Sequence, residues 1–128
     1  MSVKTGSIVA LLASSVLAYG VPAFAADVTG ILVDEACYNF SKANTTNAHK
    51  DMGDTCAQEC AKKGNQVALV TKTGEVYEVM AMGALAGEKN AKLVPHMSHT
   101  VTLTGSIANG AKGKPKMIHA TLLKMVSE

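Results

Sequence analysis

Residues 99–107 read HTVTLTGSI and alternate between apolar and polar side chains over nearly their whole length. The apolar residues share one parity, at Val101, Leu103 and Ile107. The hydroxyl-bearing residues share the other, at Thr100, Thr102, Thr104 and Ser106. Because successive side chains of a strand point to opposite faces, this pattern predicts a strand with one buried and one solvated face.

Four further stretches have strand composition: residues 28–34, 66–71, 75–80 and 117–126. Turn residues at 72–74 and 109–115 predict two hairpins. Gly30, inside the first stretch, predicts a bulge or a close approach of another backbone. Gly83 and Gly87 interrupt residues 81–94, where we expect a loop with one helical turn.

Together these elements predict a mainly β fold. The expected architecture is a small five-stranded Greek-key barrel of the OB type, with a short cysteine-bearing helix inserted after strand 1. The alternative is a two-layer α+β sandwich with an open antiparallel sheet.

The first 25 residues have the features of a secretory signal peptide. Lys4 precedes an apolar run over residues 8–17, and the small residues Ala23 and Ala25 stand at the positions that a signal peptidase reads. The run is too short to span a bilayer, so we expect no stable membrane insertion after cleavage. We therefore predict a cleaved segment, 1–25, and one domain, 26–128, that is periplasmic or secreted.

Composition argues against nucleic acid as a partner. After residue 25 the chain has eleven lysines and ten acidic residues, a formal charge of +1, and it has no arginine. Arginine supplies the bidentate contacts to guanine and phosphate, and few aromatic residues remain for stacking on bases. The chain also has no legible Ser-His-Asp arrangement, phosphate loop or carboxylate pair. We therefore expect a binding module, not an enzyme, and the sequence names no protein partner.

All three cysteines and one histidine lie in residues 34–64. Residues 38–51 are polar and without periodicity, which predicts a loop. Thr55 and Gln58 form a capping box that predicts a short helix beginning at Cys56. Cys56 and Cys60 are four residues apart, so they share one face of that helix.

These motifs resemble a loose family of small exported bacterial proteins, most of them without an assigned function. The resemblance is carried by V-T-G-x-x-V-D-x-x-C at 28–37, by His49 followed by C-x-x-x-C-A-K-K-G at 56–64, by G-E-V-Y at 74–77 and by H-x-x-H-x-V-T-L-T-G at 96–105. It implies an OB-type barrel and export. In that family the histidine stands closer to the cysteine pair than His49 does here.

Three hypotheses account for the cysteines. Cys37, His49, Cys56 and Cys60 form a Cys₃His set that suits tetrahedral zinc. Alternatively, Cys37 forms a disulfide with Cys56 or Cys60, which leaves one thiol spare and stabilises a small exported domain. The third hypothesis is thiol redox chemistry at Cys56, near the start of the helix.

A second group of soft ligands lies toward the end of the chain: Met80, Met82, His96, Met97, His99, Met117 and His119. Methionine and histidine in an exported protein are typical ligands for copper. The alternative is that the methionines fill the core and the histidines lie at strand ends. We therefore predict a module that binds a small ligand or a metal ion, zinc or copper.

Overall fold

The computed structural model describes residues 25–45 and 56–127. Five strands and two short α-helices follow one another in the chain: β1 (Ala26–Asp34), α1 (Glu35–Phe40), α2 (Cys56–Lys62), β2 (Val67–Val70), β3 (Val76–Ala81), β4 (Thr100–Ala108) and β5 (Lys116–Ser127). The predicted mainly β fold with five strands is confirmed. None of the helices in the described ranges is long and apolar enough to cross a membrane.

The strands form one sheet whose pairing order, β1-β2-β3-β5-β4, closes because β4 also pairs with β1. All neighbours are antiparallel except β3 and β5, which run parallel. The first predicted hairpin is β2 and β3, and the second is β4 and β5. Each strand therefore has a partner on both sides.

Large aliphatic side chains from β1, β2, β4 and β5 fill the interior of the closed sheet. Leu32, Leu69, Leu103 and Ile118 are fully buried there. Along β4 the predicted alternation holds at Val101 and Leu103. Ile107 was expected on the same buried face, but it lies one residue before the end of β4 and is exposed.

Glycine allows two pairs of strands to approach closely. A Cβ atom on Gly30 would lie 2.4 Å from the carbonyl oxygen of Val70 in β2, as the predicted close approach requires. Gly105 is tighter, because a Cβ atom there would lie 2.0 Å from the carbonyl oxygen of His119. The β4–β5 register shifts immediately before Gly105.

Two predicted loops contain more helix than expected. Residues 38–40 belong to α1, and the prediction of a loop from residue 38 was wrong there. The cause is Asp34, which caps α1: its Oδ1 accepts a hydrogen bond from the Cys37 amide at 2.9 Å. Between β3 and β4 the chain makes three 3₁₀ turns, Gly83–Leu85, Glu88–Asn90 and Val94–His96.

Candidate metal centre

Strand pairing brings the two cysteine-bearing helices together. β1 leads directly into α1, and α2 leads within a few residues into β2. Because β1 and β2 are antiparallel, with Asp34 opposite Val67, the end of β1 lies beside the start of β2. The Glu35 amide also donates to the Gln66 carbonyl at 3.0 Å. Both helices therefore meet at the same end of the sheet.

The three thiols converge at this point. The Sγ atoms of Cys37, Cys56 and Cys60 all lie within 4.8 Å of one another. Those of Cys56 and Cys60, one helical turn apart, are separated by 4.0 Å. Two sulfurs on one tetrahedral zinc stand about 3.8 Å apart, given Zn–S bonds of about 2.3 Å. The cluster therefore needs only a small contraction to hold such an ion.

Asp34 lies beside the cluster, which the sequence analysis did not foresee. Its side chain is only 2% exposed. Oδ1 is satisfied by the Cys37 amide, whereas Oδ2 has no hydrogen-bond partner of good geometry among the described residues. A buried carboxylate without full compensation is costly, and a nearby cation offsets that cost. The signal was its position three residues before Cys37, which is the spacing of a helix N-cap.

The surroundings favour the protonated form of two of the thiols, those of Cys37 and Cys60. Burial, followed by the Asp34 carboxylate, which attracts the thiol proton and repels the thiolate, raises the pKa of Cys37 to about 12. The pKa of Cys60 is raised by burial first, then by a hydrogen bond with Cys56 and by the charge of Asp34. A reactive redox cysteine has a lowered pKa instead. These two thiols therefore lack the usual feature of a redox nucleophile.

Three of the four residues predicted as zinc ligands lie in the part of the chain that the structure describes. Cys37, Cys56 and Cys60 come together as free thiols. His49 and the predicted cap Thr55 lie outside the described residues. The predicted helix begins at Cys56, and Gly64 follows its end with a positive φ of 88°. In the described ranges, these cysteines are the one group of three or more His, Cys, Asp or Glu ligands.

The secondary candidates are dispersed. Met97 is fully buried in the core. His96 Nδ1 lies 3.0 Å from the Met125 sulfur, and His99 is nearby with a buried Nδ1 that has no partner within the described part. His119 contacts Met117 instead. The structure therefore does not assemble His96, Met97, His99 and His119 into one site.

His96 makes stability depend on pH. Burial lowers its pKa below the ordinary value of 6.5, and the neighbouring His99 adds a smaller effect. The unfolded chain therefore binds the proton more readily than the folded chain, and the free energy of unfolding falls as pH drops from about 6.5 toward the folded pKa. We expect His96→Gln to reduce this dependence of the free energy of unfolding on pH, measured by urea titration. Above pH 8 the free energies of the two proteins should change with pH in parallel. An unchanged slope would contradict this assignment.

Comparisons with known proteins add no relative. No protein-family model, no curated protein and no solved structure matches the chain. The geometry of the cysteine cluster is therefore the basis for assigning a function.

Proposed function

We propose that the protein is an exported module that binds one zinc ion through Cys37, Cys56 and Cys60. The observation that carries this is the convergence of three thiols, contributed by two separate helices, to within 4.8 Å. Thiolates are preferred zinc ligands, and closed four-ligand sites stabilise small domains. The hydrogen bond from the Cys37 amide to Asp34 at 2.9 Å holds Cys37 in place for this role.

The proposed scaffold is an OB-type Greek-key barrel of the small exported family described above. Its support is the closed order β1-β2-β3-β5-β4 with β3 and β5 parallel. The helices of the cluster cover one end of the β1–β2 pair. A metal bound there would fasten the connection between these strands to the sheet.

The fourth ligand is His49 in this proposal. A Cys₃His set carries less negative charge around the ion than three thiolates and a carboxylate would. Asp34 already caps α1 through Oδ1, so we assign it to the surroundings of the metal, where its hydrogen bond to the Cys37 amide orients Cys37. Direct ligation by Asp34 is the competing arrangement.

Metal titration tests the site. Reduced protein beginning at Ala26 is expected to bind one equivalent of Co²⁺ with an intense thiolate charge-transfer band, and Zn²⁺ is expected to displace the Co²⁺. Cys37→Ser, Cys56→Ser and Cys60→Ser should each weaken binding at least a hundredfold. Glu59→Gln is the matched control, because Glu59 lies on α2 between two cysteines and its side chain, among the described residues, forms an exposed ion pair with Lys62. Tight binding by all three serine variants would refute the proposal.

A pair of further variants identifies the fourth ligand. His49→Ala should leave the thiolate band but alter the ligand-field spectrum and weaken binding. Asp34→Asn keeps the helix cap and should weaken binding less, by about tenfold, as removal of an outer-shell partner does. The opposite ranking would assign the fourth position to Asp34.

The competing function is a disulfide-stapled interaction module. It is favoured by the approach of the Cys37 sulfur to within 4.8 Å of those of Cys56 and Cys60, and by the predicted oxidising compartment. A disulfide requires the sulfurs to close to about 2.05 Å. Counting thiols in denatured protein from the native host separates the two: three thiols with bound zinc support the metal site. One thiol and no metal would exclude it.

A further inference from the structure

Three thioethers and one imidazole lie together where β3 pairs with β5, away from the cysteines. They belong to Met80, Met82, Met117 and His119, which we call the thioether patch. In the parallel register Met80 is directly opposite His119. Met117 is two residues from His119 on the same strand, so both side chains leave the outer face of the sheet. The core-facing neighbours Val79 and Ile118 are buried, which confirms that assignment of faces.

One pair of ligand atoms in the patch is already close. His119 Nε2 lies 3.3 Å from the Met117 sulfur. His119 and Met82 line the same surface cavity, of about 270 Å³. The Met82 amide donates to the Ala120 carbonyl at 2.8 Å, which fixes Met82 beside β5. Met80 and Met82 are 44% and 43% exposed, so an ion from solvent reaches them directly.

We propose that the thioether patch binds one cuprous ion. Thioether sulfur is a soft ligand that selects Cu(I), and imidazole also binds copper. A nitrogen and a sulfur that share a tetrahedral or trigonal metal stand about 3.5–3.7 Å apart, given bonds of about 2.0 and 2.3 Å. The His119–Met117 pair therefore has to open by only a few tenths of an ångström.

One acidic residue borders the patch. Glu78 is opposite Met117 in the register, on the same outer face, and its side chain shares a hydrogen bond with Glu35. The nearest lysine in β5, Lys116, is neutralised by its 2.7 Å ion pair with Glu75. The patch shares no residue with the cysteine cluster, so copper binding at the patch does not depend on zinc binding to the cysteines.

A titration with Cu(I) under anaerobic conditions, followed by NMR of ¹³C-methyl methionine, tests the patch. Cysteine thiolates are the stronger ligands and are expected to fill first. A further equivalent should then shift the methyl signals of Met80, Met82 and Met117 and the ring signals of His119. The Met97 signal should not move. Zn²⁺ at the same concentration should leave the three methyl signals unchanged, because thioethers are poor ligands for zinc.

Variants decide whether the patch is the site. Met117→Leu and His119→Gln should each weaken binding of the additional Cu(I) at least tenfold. Met82→Leu should also weaken it, and this substitution is at an exposed position outside the core. Met125→Leu is the matched control, because it too removes a sulfur that contacts a histidine, His96. Cys56→Ser should leave binding of Cu(I) at the thioether patch unchanged. Unmoved methyl signals, or equal loss in Met125→Leu, would overturn the proposal.

Discussion

Gly105→Ala is expected to destabilise the protein by about 4 kcal/mol or more, at the extreme of single substitutions. The added Cβ would lie 2.0 Å from the His119 carbonyl oxygen and 2.7 Å from its carbon. Both are backbone atoms of the adjacent strand, so no side-chain rotation relieves the overlap. β4 and β5 would have to separate where their register already shifts. Urea denaturation followed by circular dichroism measures the effect as a lower midpoint, or as loss of the folded baseline.

Gly87→Ala is the matched control for this substitution. Gly87 has an extended φ of 174°, which any residue adopts. A Cβ atom there would make an ordinary 3.5 Å contact with Ala91. We expect a change within about 0.5 kcal/mol, as for most surface substitutions. If Gly105→Ala is no less stable than Gly87→Ala, the close approach of β4 and β5 is wrong.

Zinc is expected to stabilise the reduced protein strongly. A ligand that binds only the folded state adds about 4.1 kcal/mol to the free energy of unfolding when its free concentration is a thousand times Kd. Urea titrations at buffered free zinc should show that increase for the native chain and for Glu59→Gln. Cys56→Ser, with binding weakened at least a hundredfold, should show about 1.4 kcal/mol or less. Equal stabilisation of both variants would mean that zinc acts elsewhere.

The same linkage makes the zinc effect depend on pH. The thiols must lose their protons to bind, and the pKa values of Cys37 and Cys60 are raised, the former to about 12. At least two protons should therefore be released for each zinc bound at neutral pH, and apparent affinity should rise at least a hundredfold for each pH unit. Calorimetry in buffers of different ionisation enthalpy counts these protons. A count of zero would contradict thiolate ligation.

The strands were predictable because their signal is local. The alternation along β4 follows directly from burial on one side, and Gly30 marked the approach of β2 correctly. The predicted ends of the strands differ from the observed ones by no more than two residues. Ile107 departs from the predicted burial because fewer neighbouring residues cover the end of a strand than its middle.

The site was only partly predictable because its geometry is not local. The four-residue spacing of Cys56 and Cys60 predicts directly that they share one helix face. The position of Cys37 beside them depends instead on the pairing of β1 with β2. The burial of Asp34 is not local either: it is the last residue of β1, and the chain turns into α1 immediately after it. Likewise, the thioether patch arises from the parallel register of β3 and β5, which composition does not specify.

The pairing of β1 with β4 also sets how the chain must fold. Its hydroxyl contact between Thr29 and Thr102 joins residues 73 apart, and the bond from Thr104 to Asp27 joins residues 77 apart. Domains dominated by such distant contacts close slowly, in milliseconds to seconds, because loop entropy is lost before the contacts form. Until β4 arrives, β1 presents an unpaired edge of aliphatic residues, which is the feature that promotes aggregation in partly folded chains. Refolding yield should therefore fall as protein concentration rises, even though the finished sheet has no free edge.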